Sequence, residues 1–210
     1  MDPLDAFSLG LPDAFGVRLA TRREVPALAR VLARAFHDDP VYRWIFPDAE
    51  QRERRSPGMF DMFARQMLRH GAVLTDDAMR GVALWRPHRL QLGLLEDLGF
   101  KLGMLRLLGR RASVIGRGFV PIEARHPRDP HVYLPLIGTD PTHQGEGVGS
   151  ALLAPVLRMC DARGLPAYLE SSKEDNIPFY RRHGFELLEP LTIVGGPTVW
   201  PMKRVAPRRP

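Results

Sequence analysis

Hydrophobic and polar positions follow two different periods along the chain, and the two alternate. Between residues 24 and 36, apolar side chains recur every three to four positions, which is the spacing of one face of a helix. The same period predicts a second helix over about residues 49–69. Strands are predicted where short runs alternate or are continuously apolar. These runs are 17–20, 72–75, 81–85, 131–139, 167–171, 185–189 and 198–204.

Further helices are predicted in the second half of the chain. A segment rich in leucine and glycine, roughly residues 87–130, predicts one or two helices because leucine recurs at three- to four-residue intervals. Two more are predicted over residues 147–163 and 177–183. The order of elements is β-α-α-β-β, a helical insert, then β-α-β-α-β-β, which favours a single α/β (α+β) sheet flanked by helices. We therefore expect an extended leader over 1–16, one domain over 17–204 and a basic tail over 205–210.

Composition limits the class of protein. With 44% hydrophobic residues the chain can bury a core, and no apolar run approaches the ~20 residues that span a bilayer. The acidic first residues do not resemble a signal peptide, so a cytoplasmic location is expected. Cys160 is the single cysteine, which excludes an intramolecular disulfide and a cysteine-rich zinc site. No metal-binding pattern is visible in the sequence, and no metal is predicted.

The net charge of +6 and a pI of about 10.1 suit an anionic partner, either a nucleic acid or a phosphate-rich cofactor. The arginines are dispersed along the chain and are not interleaved with aromatic residues as in a platform for single strands. We therefore favour solvated helix faces and predict no nucleic-acid or membrane partner. The sequence leaves a homodimer open.

A glycine-rich turn, residues 140–150, lies between the predicted strand 131–139 and the helix that follows. Consecutive backbone N–H groups at a helix N-terminus form a site for phosphate oxygens. A Cβ at Gly145, Gly147 or Gly149 is expected to block the approach of a pyrophosphate to the backbone. The sequence of this turn therefore predicts a phosphate-binding loop.

The spacing of the glycines in this turn distinguishes between the candidate cofactors. It lacks the Gly-Lys-Ser/Thr of a P-loop, and a Gly-x-Gly-x-x-Gly pattern that starts at Gly145 would end on Ser150. Glu170 follows about 20 residues later at a strand end, so an NAD(P)-type dinucleotide-binding oxidoreductase stays open as an alternative. The pattern that fits is Gln-x-x-Gly-x-Gly, on Gln144, Gly147 and Gly149.

A second motif follows in a fixed order. The strand ending Tyr168-Leu169-Glu170-Ser171 is followed by Asn176-Ile177-Pro178-Phe179-Tyr180, which opens a short helix, and then by Gly184-Phe185. Together the two motifs resemble those of the GCN5-related N-acetyltransferases (the GNAT superfamily). The resemblance is closest to the puromycin N-acetyltransferase branch over residues 17–36 and 131–204, and it is poor over 87–130.

This resemblance implies acetyl-coenzyme A as the cofactor and a mixed, mostly antiparallel sheet with a kinked central strand near 131–139. Pro135 is consistent with the kink, because it removes a hydrogen-bond donor and predicts a bulge or a locally unpaired side. The residues that the resemblance places at the cofactor are Ile137, Gly138, Thr139, Gln144, Gly145, Glu146, Gly147, Val148, Gly149, Ser150, Asn176 and Tyr180.

Acetyl transfer to an amine needs a neutral amine, a stabilised oxyanion and a proton for the leaving thiolate. Tyr180 is the candidate general acid, and backbone N–H groups of residues 137–139 are the candidates for the oxyanion. Glu170 is the candidate general base, with binding of the acceptor's cation or a structural role as alternatives. His131 and His143 are weaker candidates for the base.

The acceptor side is predicted less sharply. The family places the segment between the first two helices along the acceptor groove, and here that segment forms an acidic and aromatic loop. Its candidate substrate-binding residues, with Glu170, are Asp38, Asp39, Tyr42 and Trp44. Cys160 lies on an apolar helix face, so a covalent acetyl-enzyme is rejected.

The sequence thus predicts an N-acetyltransferase that moves acetyl directly to a primary amine of a small molecule. A non-catalytic acyl-coenzyme A sensor, or a basic nucleic-acid binder on the same fold, remains a further alternative.

Overall fold

A computed structural model of the chain describes residues 16–88 and 93–206. In these residues an eight-stranded mixed sheet has the order β1-β2-β3-β4-β5-β8-β6, and β7 pairs with β8. The strands are β1 (Val17–Leu19), β2 (Ala72–Asp76), β3 (Gly81–Pro87), β4 (Val132–Thr139), β5 (Ala167–Ser171), β6 (Glu186–Leu187), β7 (Leu191–Thr192) and β8 (Thr198–Arg204). Every pairing is antiparallel except that of β4 with β5. The predicted α/β class with a mostly antiparallel sheet is confirmed.

The helices flank this sheet. They are α1 (Val25–Ala35), α2 (Pro40–Ile45), α3 (Ala49–His70), α4 (Leu94–Leu108), α5 (Ala112–Arg125), α6 (Val148–Arg163) and α7 (Ile177–Arg182). In its described residues the insert between β3 and β4 contains two α-helices, where its leucine spacing predicts one or two. Most of the predicted leader, residues 1–15, and residues 207–210 of the predicted tail lie outside the described residues. No helix in the described part of the chain is long and apolar enough to cross a bilayer.

Alternation along the strands divides the core into two layers. In β3, Val82 and Leu84 belong to the cluster packed against α1 and α3, whereas Ala83 and Trp85 belong to the cluster packed against α6. Successive side chains of a strand point to opposite faces, so one short apolar strand serves both layers. The sheet is therefore buried on both sides at its centre.

The segment expected to be a loop between the first two long helices contains helix α2. Pro40 occupies the first turn of α2, where its missing N–H costs no hydrogen bond. The Asp39 carboxylate caps this helix by accepting from the backbone N–H groups of Val41 (2.9 Å) and Tyr42 (3.3 Å). The loop prediction was wrong because Asp39 and Pro40 are suited to the N-cap and the first turn of a helix.

Strand β4 is irregular at Pro135. Arg86 of β3 pairs with Tyr133 and Leu84 pairs with Leu136, so β4 has one extra residue opposite Trp85. The predicted bulge is thus confirmed, and it falls where proline has no N–H to donate. On its other side, β4 pairs with β5 only at Val132↔Ala167 and Tyr133↔Tyr168. Beyond these two pairs the strands diverge and leave an opening in the sheet.

The leucines whose spacing predicts helix α4 lie on its outer face. Leu98, Leu102 and Leu105 are half exposed, while Phe100 faces inward and contacts Phe63 of α3 with a ring separation of 5.6 Å. The helix is therefore attached to the rest of the protein by its aromatic and methionine side rather than by its leucine stripe.

Gly138 of β4 allows α1 to lie directly against the sheet. A Cβ at this position would be 2.9 Å from Ala35 Cβ and 3.1 Å from Phe36 Cε2. We expect Gly138→Ala to lower the free energy of unfolding by ~1–3 kcal/mol because the contact is overpacked. Urea unfolding measures this.

The matched control for that substitution is Gly99→Ala in α4, where an added Cβ meets nothing within 4 Å. Alanine is the better helix former, so we expect a gain of ~0.5–1 kcal/mol. Equal changes in the two variants would contradict the close packing of α1 on β4.

Candidate functional site

The opening between β4 and β5 leads into a cavity of about 750 Å³. Leu136 and Ile137 line it from β4, and Leu169 and Glu170 line it from β5. Ser172, Asn176 and Tyr180 follow along the same side, and α2, α3, α4 and α5 close the other. The bulged stretch of β4 therefore forms one side of a cavity whose remainder is built largely by the helices.

The glycine turn has the geometry of a phosphate-binding loop. Gly147 is the N-cap of α6 with a left-handed φ of +83°, and Gly145 also has a positive φ, of +85°. The residues from Gln144 to Gly147 are exposed, whereas Val148 is buried in the core and anchors the start of the helix. The first N–H groups of a helix have no partner within it, so those of α6 are available to phosphate oxygens.

The three glycines differ in why they are needed. A Cβ at Gly145 or Gly147 would meet nothing within 4 Å, so their requirement is the positive φ and not crowding by the protein. A Cβ at Gly149 would lie 3.2 Å from Phe179 Cζ of α7. Ser150 Oγ makes a second link to α7 at 3.0 Å from His183 Nε2. Gly149 and Ser150 therefore join the two sequence motifs.

Charged side chains hold the turn in place. Asp140, just before it, accepts from Arg34 Nε of α1 at 2.8 Å and from Thr142 Oγ1 at 2.8 Å. These bonds keep the pKa of Asp140 below its usual value against the opposing effect of burial. Glu146 lies 3.5 Å from Arg80 Nη1 and 3.2 Å from His143 Nδ1. The His143 ring is thus engaged with the turn itself and lies away from Glu170.

Tyr180 of α7 is buried and lines the cavity. Burial, and to a smaller degree the charge of Asp39, raises the pKa of its phenol. The hydroxyl is therefore protonated at neutral pH and available as a proton donor. Asn176 precedes α7 and lines the cavity, and its side chain makes no capping hydrogen bond to the helix.

The acidic and aromatic residues predicted for the acceptor side are separated in the structure. Tyr42 is buried in the cavity wall, where burial raises the pKa of its hydroxyl. Asp38 is exposed and does not line the cavity. Trp44 packs against Phe119 with a ring separation of 5.9 Å and against Gly118, outside the lining. The helical geometry of α2 causes this separation, because it turns successive side chains to different sides.

Asp39 connects two segments of the fold through its hydrogen bonds. It is buried, caps α2 and accepts a hydrogen bond from the hydroxyl of Ser172 just after β5. Burial raises the pKa of its carboxyl, against the opposing effect of these hydrogen bonds. Asp39 thereby connects α2 to the segment that leads to Asn176 and Tyr180.

Glu170 faces the helical side of the cavity, and its side chain is only 8% exposed. Its Oε1 lies 3.3 Å from Nδ1 of His126, the residue at the C-terminal end of α5. The hydroxyls of Tyr133 and Tyr168 also interact with this carboxylate, and that interaction adds to burial in raising the pKa of both phenols. The guanidinium of Arg86 lies over the Tyr133 ring, 4.5 Å from its centre. Glu170 is thus enclosed by proton donors.

His131, a weaker candidate for the base, contacts His126 and is linked to Glu170 through that ring. Its Nε2 lies 3.1 Å from Nε2 of His126, and its Nδ1 lies 2.7 Å from the carbonyl oxygen of Asp129. Burial is the main cause that lowers the pKa of His131 to about 4. The ring is therefore neutral at physiological pH.

Four residues of this cluster were not among the sequence candidates: Arg86, His126, Tyr133 and Tyr168. Tyr133 and Tyr168 meet because they form one of the two pairs between β4 and β5. That register, once known, would have identified both tyrosines. His126 carries no comparable signal, because its position depends on how α5 returns to the sheet.

The helical side of the cavity is mostly apolar. It is formed by Phe63, Met67, Phe100, Met104, Leu108, Ile115, Phe119 and Ile122. Among these, Phe100, Met104 and Leu108 come from α4, and Ile115, Phe119 and Ile122 come from α5. The insert between β3 and β4 therefore supplies much of the wall opposite the glycine turn.

Cys160 lies away from the cavity lining in α6 and is fully buried. Burial raises the pKa of its thiol to about 12. A thiol in this state is a poor nucleophile at neutral pH, which agrees with its rejection as an acetyl carrier.

Comparison with known proteins gives a consistent result in sequence and structure. A model of the acetyltransferase (GNAT) family matches residues 117–185, which include the glycine turn, Glu170 and Tyr180. An uncharacterized N-acetyltransferase of Schizosaccharomyces pombe (strain 972 / ATCC 24843) is 30% identical over 173 residues, covering 75% of this chain and 68% of the relative.

Solved structures share the fold. One is described as histone acetyltransferase HPA2 and related acetyltransferase from Corynebacterium glutamicum ATCC 13032; it has a TM-score of 0.68 at 26% identity and covers 92% of this chain and 97% of its own. An N-acetyltransferase from Staphylococcus aureus Mu50 has a TM-score of 0.59 at 12% identity, with 89% of this chain and 98% of its own covered. The chain belongs to the acetyltransferase (GNAT) family and is an acyltransferase of that family.

The geometry of the turn predicts the effect of a side chain at Gly147. We expect Gly147→Val to abolish binding of acetyl-coenzyme A, because a β-branched residue disfavours a φ of +83° and its side chain would occupy the open face of the loop. Isothermal titration measures the affinity.

Gly195→Val is the matched control, since Gly195 also has a positive φ, of +70°, and open space around it, but lies in the turn before β8. It should lose stability and keep its affinity for acetyl-coenzyme A. Unchanged affinity in Gly147→Val would show that the cofactor's phosphates bind elsewhere.

Proposed function

We propose that this protein transfers an acetyl group from acetyl-coenzyme A to the primary amine of a small molecule by direct attack. The observation that carries the proposal is the opening between β4 and β5, because the cavity there contains both Tyr180 and Glu170 and the glycine turn follows directly after β4. A thioester that lies in this opening would have its phosphates at one end and its acetyl group next to both residues.

On the cofactor side, the turn supplies backbone N–H groups for the pyrophosphate. The backbone of residues 137–139 borders the opening, because β4 pairs only with β3 along this stretch. Its free edge is suited to bind the pantetheine arm and the developing oxyanion. Tyr180 would donate its proton to the departing thiolate, a role that its raised pKa supports.

On the acceptor side, an alkyl ammonium has a pKa of ~10.4 and must lose a proton before attack. Glu170 would first bind this cation and then accept its proton. Because most of the other side chains on this side are aromatic or aliphatic, we propose an amine with a sizeable apolar body. The puromycin N-acetyltransferase branch, suggested by the sequence motifs, fits an acceptor of this kind.

The alternative oxidoreductase reading relied on Glu170 as a ligand of a ribose hydroxyl. In the structure Glu170 faces the helical side and is enclosed by His126, Tyr133 and Tyr168. These neighbours favour a role of Glu170 in proton transfer at the acceptor amine. We further propose a cytoplasmic enzyme that acts without a nucleic-acid or membrane partner.

A thermal-unfolding shift tests the cofactor directly. Acetyl-coenzyme A at 100 times its dissociation constant should add ~2.7 kcal/mol, or about 5–10 °C. NAD and NADP at the same concentration should leave the transition unchanged, and a shift with a dinucleotide alone would overturn the proposal. A shift without turnover of any amine would favour an acyl-coenzyme A sensor.

The acceptor is tested by thiol release with two amines of different polarity. Burial of a phenyl ring in the apolar wall is worth ~1.5–3 kcal/mol, so kcat/KM for 2-phenylethylamine should exceed that for 1,4-diaminobutane by roughly tenfold or more. A preference for the diamine would contradict the apolar acceptor.

Tyr180→Phe tests the general acid. We expect kcat to fall by ~10²–10⁴-fold, because the leaving thiolate loses its proton donor. Affinity for acetyl-coenzyme A and the unfolding temperature, measured on the same preparation, should change little since the ring is retained. A variant that turns over at the wild-type rate would remove Tyr180 from this role.

A further inference from the structure

Beside the proposed acetyl-transfer centre, three side chains form one hydrogen-bonded chain. Glu170 Oε1 lies 3.3 Å from His126 Nδ1, and His126 Nε2 lies 3.1 Å from His131 Nε2. His131 Nδ1 ends the chain at the Asp129 carbonyl oxygen, 2.7 Å away. The order of atoms along this chain restricts where its protons lie.

The restriction begins at the backbone. A carbonyl oxygen only accepts hydrogen bonds, so Nδ1 of His131 must carry a hydrogen. A neutral His131 then has an unprotonated Nε2, which is an acceptor, and His126 must donate from its own Nε2. The remaining nitrogen of His126, Nδ1, faces the carboxylate of Glu170.

One proton consequently lies between Glu170 and His126. Without it, a carboxylate oxygen and an unprotonated nitrogen would face each other with no hydrogen between them. With it, the pair exists either as a carboxylate beside an imidazolium or as a carboxylic acid beside a neutral imidazole.

We propose that His126 is a proton relay for Glu170 and that His131 is the positioning residue that fixes the His126 ring. This inference rests on the proposed acetyl transfer, because the relay serves the amine that is acetylated. Glu170 contacts the amine, His126 acts through Glu170, and His131 acts through His126.

The proton balance of acetyl transfer requires a route by which one proton leaves the site for solvent. An ammonium, R–NH₃⁺, loses two protons on becoming an amide. One replaces the acetyl group on the sulfur, and the other must reach solvent. In the proposed path the pair starts as a Glu170 carboxylate beside a His126 imidazolium. The His126 side chain is 19% exposed against 8% for Glu170, so the imidazolium first releases the shared proton to water. Glu170 then takes the second proton from the ammonium, and sharing that proton with Nδ1 of His126 restores the starting pair.

Charged and titratable groups surround the pair on every packed element. Arg86 of β3 and Glu123 of α5 contribute opposite charges, and Tyr133 of β4 and Tyr168 of β5 donate toward Glu170. The His88 ring lies 5.3 Å from that of His131. Arg86 interacts electrostatically with both Glu170 and Glu123. The variants that test the relay therefore leave Arg86 unchanged.

The position of the proton is measured without any substrate. Two-dimensional ¹H–¹⁵N spectra of the histidine side chains at neutral pH should show His131 as the Nδ1–H tautomer. They should show His126 protonated at Nε2. Neutral His131 protonated at Nε2, or His126 lacking a proton there, would overturn the proposal even if the enzyme acetylates amines. Absence of turnover with a correct tautomer pattern would instead count against the proposed function.

The relay is tested by His126→Asn, with acetyl-coenzyme A and 2-phenylethylamine as substrates. We expect kcat/KM to fall by roughly 10- to 100-fold, less than the ~10²–10⁴-fold of a direct acid–base group. The acidic limb of its pH profile should move to lower pH, because a carboxylic acid that no longer shares its proton with an imidazole loses that proton at lower pH. An unmoved limb would show that His126 does not share the proton.

Chemical rescue separates a relay from a packing role. His126→Gly with added imidazole should recover activity in proportion to the unprotonated fraction of the imidazole, because the cavity is accessible from solvent. No rescue in a folded variant that binds acetyl-coenzyme A normally would overturn the relay. His131→Phe, which removes the acceptor but keeps a ring, should lower kcat and leave the KM for acetyl-coenzyme A unchanged.

His70→Asn is the matched control. It removes a histidine that lies 2.9 Å from a carboxylate, Glu96, in a similar pair outside the cavity lining. Its pH profile should coincide with that of the wild type, and imidazole should have no effect on it. A shift equal to that of His126→Asn would show that the effect is general and would overturn the proposal.

Discussion

The separation of β4 from β5 is the constraint on which the rest of the site depends. A parallel pair that continued along its full length would close the sheet and leave no space for a ligand between the strands. Pro135 has no N–H to donate, and the bulge around it ends the regular ladder after Val132 and Tyr133. The glycine turn follows at the end of β4, and Tyr180 lies beyond the end of β5. One irregular strand therefore leaves an opening beside the cavity that Glu170 and Tyr180 line.

Much of this arrangement is predictable from the sequence because it is local. Pro135 predicts the bulge, and Gly145 and Gly147 predict a turn with positive φ at a helix N-terminus. The reason given for Gly149 was incomplete, since its lack of a side chain also lets Phe179 approach. That contact joins segments about thirty residues apart, and no local pattern contains it.

The acceptor side was predicted poorly for the same physical reason. Asp39 is a candidate substrate-binding residue in the sequence, but in the structure it is buried and accepts a hydrogen bond from the hydroxyl of Ser172, just after β5. His126 is placed by the end of α5, and Tyr133 meets Tyr168 through the strand register. These contacts depend on tertiary packing and become visible only when distant elements are positioned together. The surroundings of Glu170 are thus a property of the assembled fold.

The two-helix insert that carries the apolar wall has a consequence for how the acceptor specificity of this fold can change. It connects β3 and β4, which are neighbours in the sheet, so its two ends are held close together whatever lies between them. The entropy of closing such a connection grows only with the logarithm of its length, and each doubling costs about 0.6 kcal/mol. Longer or rearranged helices at this point would reshape the acceptor wall at small cost to folding, while the turn that serves the cofactor stays untouched.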